Sequence, residues 1–167
     1  LEIGTGSGCI PITLQLLYPK ANVYATDISE DALHVARANA REWKAVVNFI
    51  RHDILTEEIP FTSLDLIGSN PPYIAPAEEH TLADNVRKHE PHLALFAVGE
   101  DPLIFYLNIA RKAKKALRPA GYVVVEINER FGEETAEIFR HEGYSDIRIV
   151  RDVSGKQRIV TATWKPS

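Results

Sequence analysis

The feature that most constrains this chain is an alternation of two periods. Apolar runs of three to six residues recur between amphipathic stretches of helical spacing, and the pattern repeats from the first residue to about 142. Strand–helix units repeated in this way pack as a mostly parallel sheet with helices on both faces. Strands are expected at 1–3, 22–26, 45–50, 64–68 and 122–127, the last being the continuous apolar run "YVVVEI" of a strand buried on both faces. Four helices are expected between and after them. The first spans 9–18, with Pro11 in its first turn and Ile10, Leu14 and Leu17 on one face. The second spans 30–42, capped by Ser29, with Leu33, Ala36, Ala40 and Trp43 on its apolar side. The third runs from Pro102 to about Leu117, with Leu103, Tyr106, Ala110, Ala113 and Leu117 at helical spacing, and "PAG" at 119–121 turns the chain after it. The fourth spans 131–142 and is stopped by Gly143. Segments 146–152 and 158–164 then alternate with period two around a "SGK" turn, which reads as an antiparallel hairpin. The expected fold is therefore α/β, a doubly wound, mostly parallel seven-stranded sheet with an antiparallel C-terminal hairpin.

Bulk properties narrow the function classes. The 167 residues suit one domain. A net charge of −4 argues against non-specific nucleic-acid binding. The clearest basic run, "RKAKKALR" at 111–118, reads as the solvated face of a helix. No run of 18 apolar residues is present, so no membrane span is expected. Cys9 is the single cysteine, which excludes an internal disulfide and fits a reducing, cytoplasmic compartment. The chain opens inside a motif and contains no methionine, so a segment preceding Leu1 is expected.

Sheets of this class bind ligands at the carboxyl ends of their strands, and two unusual sequences fall there. Residues 4–8 are Gly-Thr-Gly-Ser-Gly, joining the first strand to the first helix. Glycines at such a junction permit a tight turn and close approach of a ligand. The spacing is G-x-G-x-G rather than the G-x-G-x-x-G of dinucleotide loops, because Cys9 stands where the third glycine would be. A dehydrogenase is disfavoured on that ground, and no G-x-x-x-x-G-K-[ST] phosphate loop is present. Asp27 ends the second strand, 19 residues after Gly8. A carboxylate there can accept both ribose hydroxyls of a nucleoside, or simply start the next helix. Asp53, after the third strand, can meet an adenine amino group or serve as a solvated loop acid.

The second unusual sequence is "SNPPYIAP", 69–76. Prolines cannot continue a sheet ladder, so the chain leaves the sheet stiffly at Asn70. The plainer reading is a strand terminator with Tyr73 filling a gap. The chemical reading is a rigid acceptor site. The Asn70 side-chain oxygen and the Pro71 carbonyl can accept hydrogen bonds from an amide or aromatic amine, and the Tyr73 ring can pack on a planar group. Such pre-organisation suits a reaction at a nitrogen whose lone pair is delocalised. No general base is evident in the motif. Residues 71–99 form a long irregular stretch, which in compact domains tends to be functional.

The combination of Glu2 with Gly4, Gly6 and Gly8, then Asp27, resembles the S-adenosylmethionine site of class I methyltransferases, a Rossmann-like family. [D/N]-P-P-[Y/F/W] after the fourth strand resembles the amino-methyltransferases of DNA, RNA and protein glutamine. "EIGTGSGCI", "TDISEDAL", "SNPPYI", "HEPHLAL", "LRPAGYVVVEI" and "RDVSGKQRIV", in that order, resemble the HemK/PrmC family, the glutamine methyltransferases of peptide chain release factors. The resemblance covers almost the whole chain. It implies S-adenosyl-L-methionine as cofactor, with S-adenosyl-L-homocysteine as product, held by Glu2, Gly4, Thr5, Gly6, Ser7, Gly8, Asp27, Ile28 and Asn70, with Asp53 and Ile54 flanking the adenine. It implies that Asn70, Pro71, Pro72 and Tyr73 hold the glutamine of the Gly-Gly-Gln motif, with Asn70, Pro71 and Tyr73 carrying the chemistry. Glu90 and Pro91 would either shape the pocket wall or order the loop. The implied partners are release factors, with neither membrane nor nucleic acid. The implied arrangement is one catalytic domain over 1–167, with an N-terminal helical domain preceding it. The chain departs from the family's usual pattern at Glu2, where Asp is usual, at Asn128, where Gly is usual, and at Pro102, where Gly is frequent. An RNA or DNA amino-methyltransferase is the competing reading, and a non-catalytic cofactor-binding scaffold a third.

Overall fold

The computed structural model describes residues 1–72 and 101–166. The expected irregular stretch from 73 onward, with Tyr73, Glu90 and Pro91, lies outside the described residues. The elements are β1 (Glu2–Ile3), α1 (Cys9–Leu17), β2 (Val23–Asp27), α2 (Glu30–Glu42), β3 (Val47–Arg51), β4 (Leu64–Ser69), α3 (Ile104–Ala116), β5 (Leu117–Glu126), α4 (Gly132–His141), β6 (Ser145–Arg151) and β7 (Gln157–Thr163). The strands form one seven-stranded sheet in the order β3-β2-β1-β4-β5-β7-β6. The first five in that order run parallel. β7 pairs antiparallel with both β5 and β6, which is the expected hairpin.

Both faces are covered. α1 and α2 pack over β2 and β3, and α3 and α4 over β5, β6 and β7. The larger core joins Ile3, Ile67, Val123, Val125 and Ile127 of the central strands to Tyr106, Ile109, Ala113, Ala136 and Phe139 of the helices. Its far end is aromatic. The Phe139 and Tyr144 rings meet edge-on at 5.2 Å, and Tyr144 packs on Trp164 at 5.3 Å. The Tyr144 hydroxyl is satisfied by the Ala110 carbonyl at 2.9 Å. Leu33, Ala36 and Ala40 of α2 are buried against the opposite face, as their spacing predicts, and the Ser29 hydroxyl accepts from the Ala32 N–H at 3.2 Å.

Three local expectations are corrected. α1 turns inward through Pro11, Ile12 and Gln15, while Ile10 and Leu17 are exposed. This helix has apolar residues all round, so periodicity does not select a face. Gly8 selects it by seating the first turn against Ile12 and Ala36. Trp43 lies just past the end of α2 and is 63% exposed. The "PAG" sequence does not turn the chain away. It lies inside β5 as a bulge, where β4 pairs Leu64 with Leu117 and then Leu66 with Tyr122. Ala120 takes the left-handed conformation with φ 62. A side chain at Gly121 would lie 2.9 Å from the Arg118 carbonyl and 3.0 Å from that of Leu64.

Phe139 is fully buried at the centre of the aromatic cluster. Phe139→Ala is expected to lower the unfolding free energy by about 3–5 kcal/mol through lost burial and a residual cavity, measurable by urea denaturation, with Phe139→Leu costing clearly less.

Candidate active site

The glycine loop is shaped by where β1 ends. Immediately after Ile3, the Gly4 and Thr5 N–H groups both donate to the Thr26 carbonyl, at 2.8 and 3.0 Å. The loop is thereby folded against the end of β2. The Gly6 N–H then donates to Asp27 Oδ2 at 2.8 Å, and the Ser29 N–H to Asp27 Oδ1 at 2.9 Å. Asn39, on α2, donates to the Ser7 carbonyl at 2.9 Å. Glycines 4, 6 and 8 all adopt positive φ, +73°, +55° and +82°, a conformation that side-chain-bearing residues rarely take. Their surroundings differ. A Cβ on Gly4 or Gly6 would meet nothing within 4 Å, whereas one on Gly8 would lie 3.1 Å from the Ala36 Cβ. Gly4 and Gly6 therefore leave an open cradle, and Gly8 is required for close packing of α1 on α2.

β4 brings the second motif beside the first. Ile3 is level with Thr26 on one side and Ser69 on the other. One residue further on, Asp27 closes β2 while Gly4 and Asn70 follow the ends of β1 and β4, so the chain leaves the sheet at one level of the carboxyl edge in all three. The Ser69 hydroxyl donates to the Ile3 carbonyl at 2.8 Å and pins the two strand ends together. Asn70 is exposed, Pro71 buried and Pro72 half-buried. The amide is thus presented on a stem locked into the protein. β1 and β4 are also where the chain changes winding direction, since β1 leads to β2 and β3 on one side and β4 to β5 on the other. Ligand crevices in such sheets open at this switch point.

The remaining expected residues fall at different depths. Ile28 is 45% exposed beside Asp27. The His52 N–H donates to the Asp27 carbonyl at 3.0 Å, which places the loop after β3 next to the site. In that loop the Asp53 carboxylate caps its own turn, accepting from the Leu55 N–H at 2.9 Å and the Thr56 hydroxyl at 2.8 Å. The Ile54 side chain is buried in the core, and its carbonyl accepts from Lys112 Nζ at 2.5 Å. Asn39, Ser69 and Lys112 support the site without any local motif to announce them. A cleft of about 450 Å³, lined by Gln15, Tyr24, Val46 and Asn48 among others, lies at the opposite end of β2 and β3, and no glycine-loop residue borders it. Among the described residues no cluster of His, Cys, Asp or Glu suits a metal ion.

The methyltransferase small domain family matches residues 1–94. The chain belongs to that family. A release factor glutamine methyltransferase of Bacteroides thetaiotaomicron is 46% identical over 163 residues, covering 97% of this chain and 59% of that protein. A second, of Flavobacterium psychrophilum, is 38% identical over 165 residues, covering 99% of this chain and 58% of the relative. A bifunctional methyltransferase of Rickettsia felis is 43% identical over 161 residues, covering 96% of this chain and 30% of that protein. The chain spans less than two thirds of the length of each of these relatives. Among solved structures, a methyltransferase from Pyrococcus furiosus superposes with a TM-score of 0.71 at 18% identity, covering 99% of this chain and 75% of the other. An O-methyltransferase from Thermotoga maritima gives 0.72 at 15%, covering 99% and 60%. At these identities the likeness is one of fold.

Glu2 is the titratable group that the methyltransferase domain holds most tightly under its loop. It is 5% exposed and accepts a hydrogen bond from the Thr5 hydroxyl. Burial pushes its carboxyl up from 4.5 to about 7, against the opposing effect of the Thr5 bond. The folded protein therefore keeps a proton on Glu2 in a range where the unfolded chain has lost it. The stability this proton contributes is fully present below about pH 4.5 and is lost as pH rises through about 7, a swing of roughly 3 kcal/mol. Glu2→Gln keeps the acceptor for Thr5 and cannot ionise. It is expected to flatten the fall in denaturation free energy between these two pH values, measured by urea titration across that range.

Proposed function

We propose that the chain is the catalytic part of an S-adenosylmethionine-dependent methyltransferase acting on the side-chain amide of glutamine in the Gly-Gly-Gln motif of peptide chain release factors. The observation that carries this reading is the juxtaposition at the switch point. An open glycine cradle backed by Asp27 follows β1, and a proline-braced Asn70 follows β4 from the same level. The names of the most similar curated relatives supply the substrate.

The residues present fit the cofactor. The space over Gly4 and Gly6 admits a ligand against bare backbone. Each Asp27 oxygen receives one N–H, from Ser29 or Gly6, and retains acceptor capacity for ribose hydroxyls. Ile28 offers an exposed apolar side chain beside it. S-adenosylmethionine, when bound, supplies an electrophilic methyl group on a sulfonium centre. The protein's task is to hold a weakly nucleophilic nitrogen in line with it. Asn70 Oδ1 and the Pro71 carbonyl accept the two N–H groups of the substrate amide, and the prolines remove the freedom that would otherwise have to be lost in the transition state. Tyr73 and Glu90 are assigned to the glutamine pocket, and Asp53 to the adenine side, on the family resemblance.

Nucleic acid as the acceptor is disfavoured by the state of the basic helix. Arg111 and Lys114 pair with Glu142, Lys115 with Glu58 and Arg118 with Asp65. Four of the five cations of this run are thus paired with three carboxylates of the same protein.

The full-length enzyme, incubated with labelled S-adenosylmethionine and a release factor, is expected to label the glutamine of Gly-Gly-Gln, as read by peptide mass. Label entering other substrates but not that glutamine would show the substrate assignment to be wrong. Asn70→Ala is expected to leave cofactor binding within about tenfold while lowering turnover by roughly 10²–10³. Wild-type turnover in that variant would remove the role given to Asn70.

A further inference from the structure

We propose that Glu126 accepts the proton released from the acceptor nitrogen during methyl transfer, a role that rests on the amide-methylating reading above. The inference comes from register. Ser69 on β4 is level with Val125 on β5. One residue further on, Asn70 follows the end of β4 at the level at which Glu126 closes β5. Neighbours at the same level of a parallel ladder project to the same face, with strands about 4.8 Å apart. The row across the carboxyl edge therefore reads Asp27, Gly4, Asn70, Glu126. In chemical terms it is a carboxylate, a gap with no side chain, a neutral amide acceptor and a second carboxylate.

The two carboxylates are not equivalent. Asp27 is engaged by the Gly6 and Ser29 N–H groups and lies on the cradle side of the gap. Glu126 lies on the Asn70 side, is half-buried, and its carboxylate has no hydrogen bond or ion pair among the described residues. Its backbone, by contrast, is firmly held. The Tyr106 hydroxyl donates to its carbonyl at 3.1 Å, β7 pairs with it through Ile159, and the next N–H, of Ile127, donates to the Arg158 carbonyl at 2.9 Å. A fixed stem whose carboxylate has no partner among the described residues, one strand from the amide that positions the substrate, is suited to take a proton. Among the described residues, the titratable or charged ones that touch or follow its backbone are Tyr106 on α3, Arg158 on β7, and Glu129 and Arg130 after β5.

The step balances as follows. The nitrogen lone pair forms the new N–C bond while the S–CH₃ bond breaks with its electron pair going to sulfur. The sulfonium becomes a neutral thioether, and the methylated nitrogen carries the positive charge and one proton too many. Glu126 takes that proton, becoming a neutral carboxylic acid and leaving a neutral N-methyl amide, and later releases it to water. Asn70 cannot do this, because its amide oxygen accepts hydrogen bonds but is too weak a base to keep the proton.

The test uses the full-length enzyme with a release factor as substrate, comparing wild type, Glu126→Gln and Glu126→Asp. Glu126→Gln is expected to lower kcat by about 10²-fold and to abolish the fall in kcat that wild type shows on acidification, with KM for the release factor and calorimetric affinity for S-adenosylhomocysteine within about threefold of wild type. Glu126→Asp is expected to restore part of the rate together with the acid limb. Unchanged kcat and pH profile in Glu126→Gln would overturn the role. So would a loss of rate matched by loss of cofactor affinity with the pH profile intact, which is the signature of a structural residue. Wild-type enzyme that fails to label the glutamine would instead overturn the proposed function, and this role with it.

Discussion

The site depends on where β1 ends. β1 sits between β2 and β4, parallel to both, and the groups at the carboxyl edge take their level from Ile3. The strand is held by more than its ladder. The Gly68 N–H donates to the Leu1 carbonyl at 2.9 Å, and the Ser69 hydroxyl caps the Ile3 carbonyl. The glycines begin directly after Ile3 and fold back over the end of β2, where Gly4 and Thr5 donate to Thr26, rather than rising away from the sheet. Shifting β1 by one residue would reverse which face each neighbour presents. Gly4 would then no longer lie between Asp27 and Asn70.

Charge in the site is arranged by burial as well as by pairing. Glu2 lies beneath the loop with its proton retained near neutrality, so it adds little negative charge under the cradle. Asp27 is only half-buried, with two backbone N–H groups fixing its orientation. Asn70 and the Pro71 carbonyl give the acceptor bank oriented dipoles without net charge. Under the proposed function, a cationic methyl donor and a neutral amide would meet different electrostatic surroundings across a gap one strand wide.

Much of this was readable in the sequence. The order of strands and helices, the hairpin and the cap at Ser29 follow from period, turn chemistry and one hydroxyl. The glycine loop, Asp27 and the Asn-Pro-Pro corner declare themselves because their residue types are costly unless a particular backbone requires them. The failures have physical causes. α1 is apolar on all sides, so its inward face is set by contact with α2 at Gly8, which its own periodicity does not record. Pro-Ala-Gly serves a turn and a bulge equally well, and the pairing of β4 with β5 decides between them. Asn39 holds the loop from 32 residues away. Glu126 reads locally as one polar residue closing an apolar run. Its place beside Asn70 exists only once β4 and β5 are in register.

The contact of Gly8 with Ala36 carries a consequence for how sequences like this one can diverge. The two positions share room for a single methyl group, which Ala36 already occupies, and the left-handed backbone at position 8 adds a second demand that only glycine meets cheaply. The loop and the middle of α2 are therefore coupled in volume although 28 residues separate them. Drift at position 36 toward anything larger than alanine would push the start of α1 outward and distort the cradle from behind. A library that randomises α2 for stability would then lose cofactor affinity through residues that never touch the ligand.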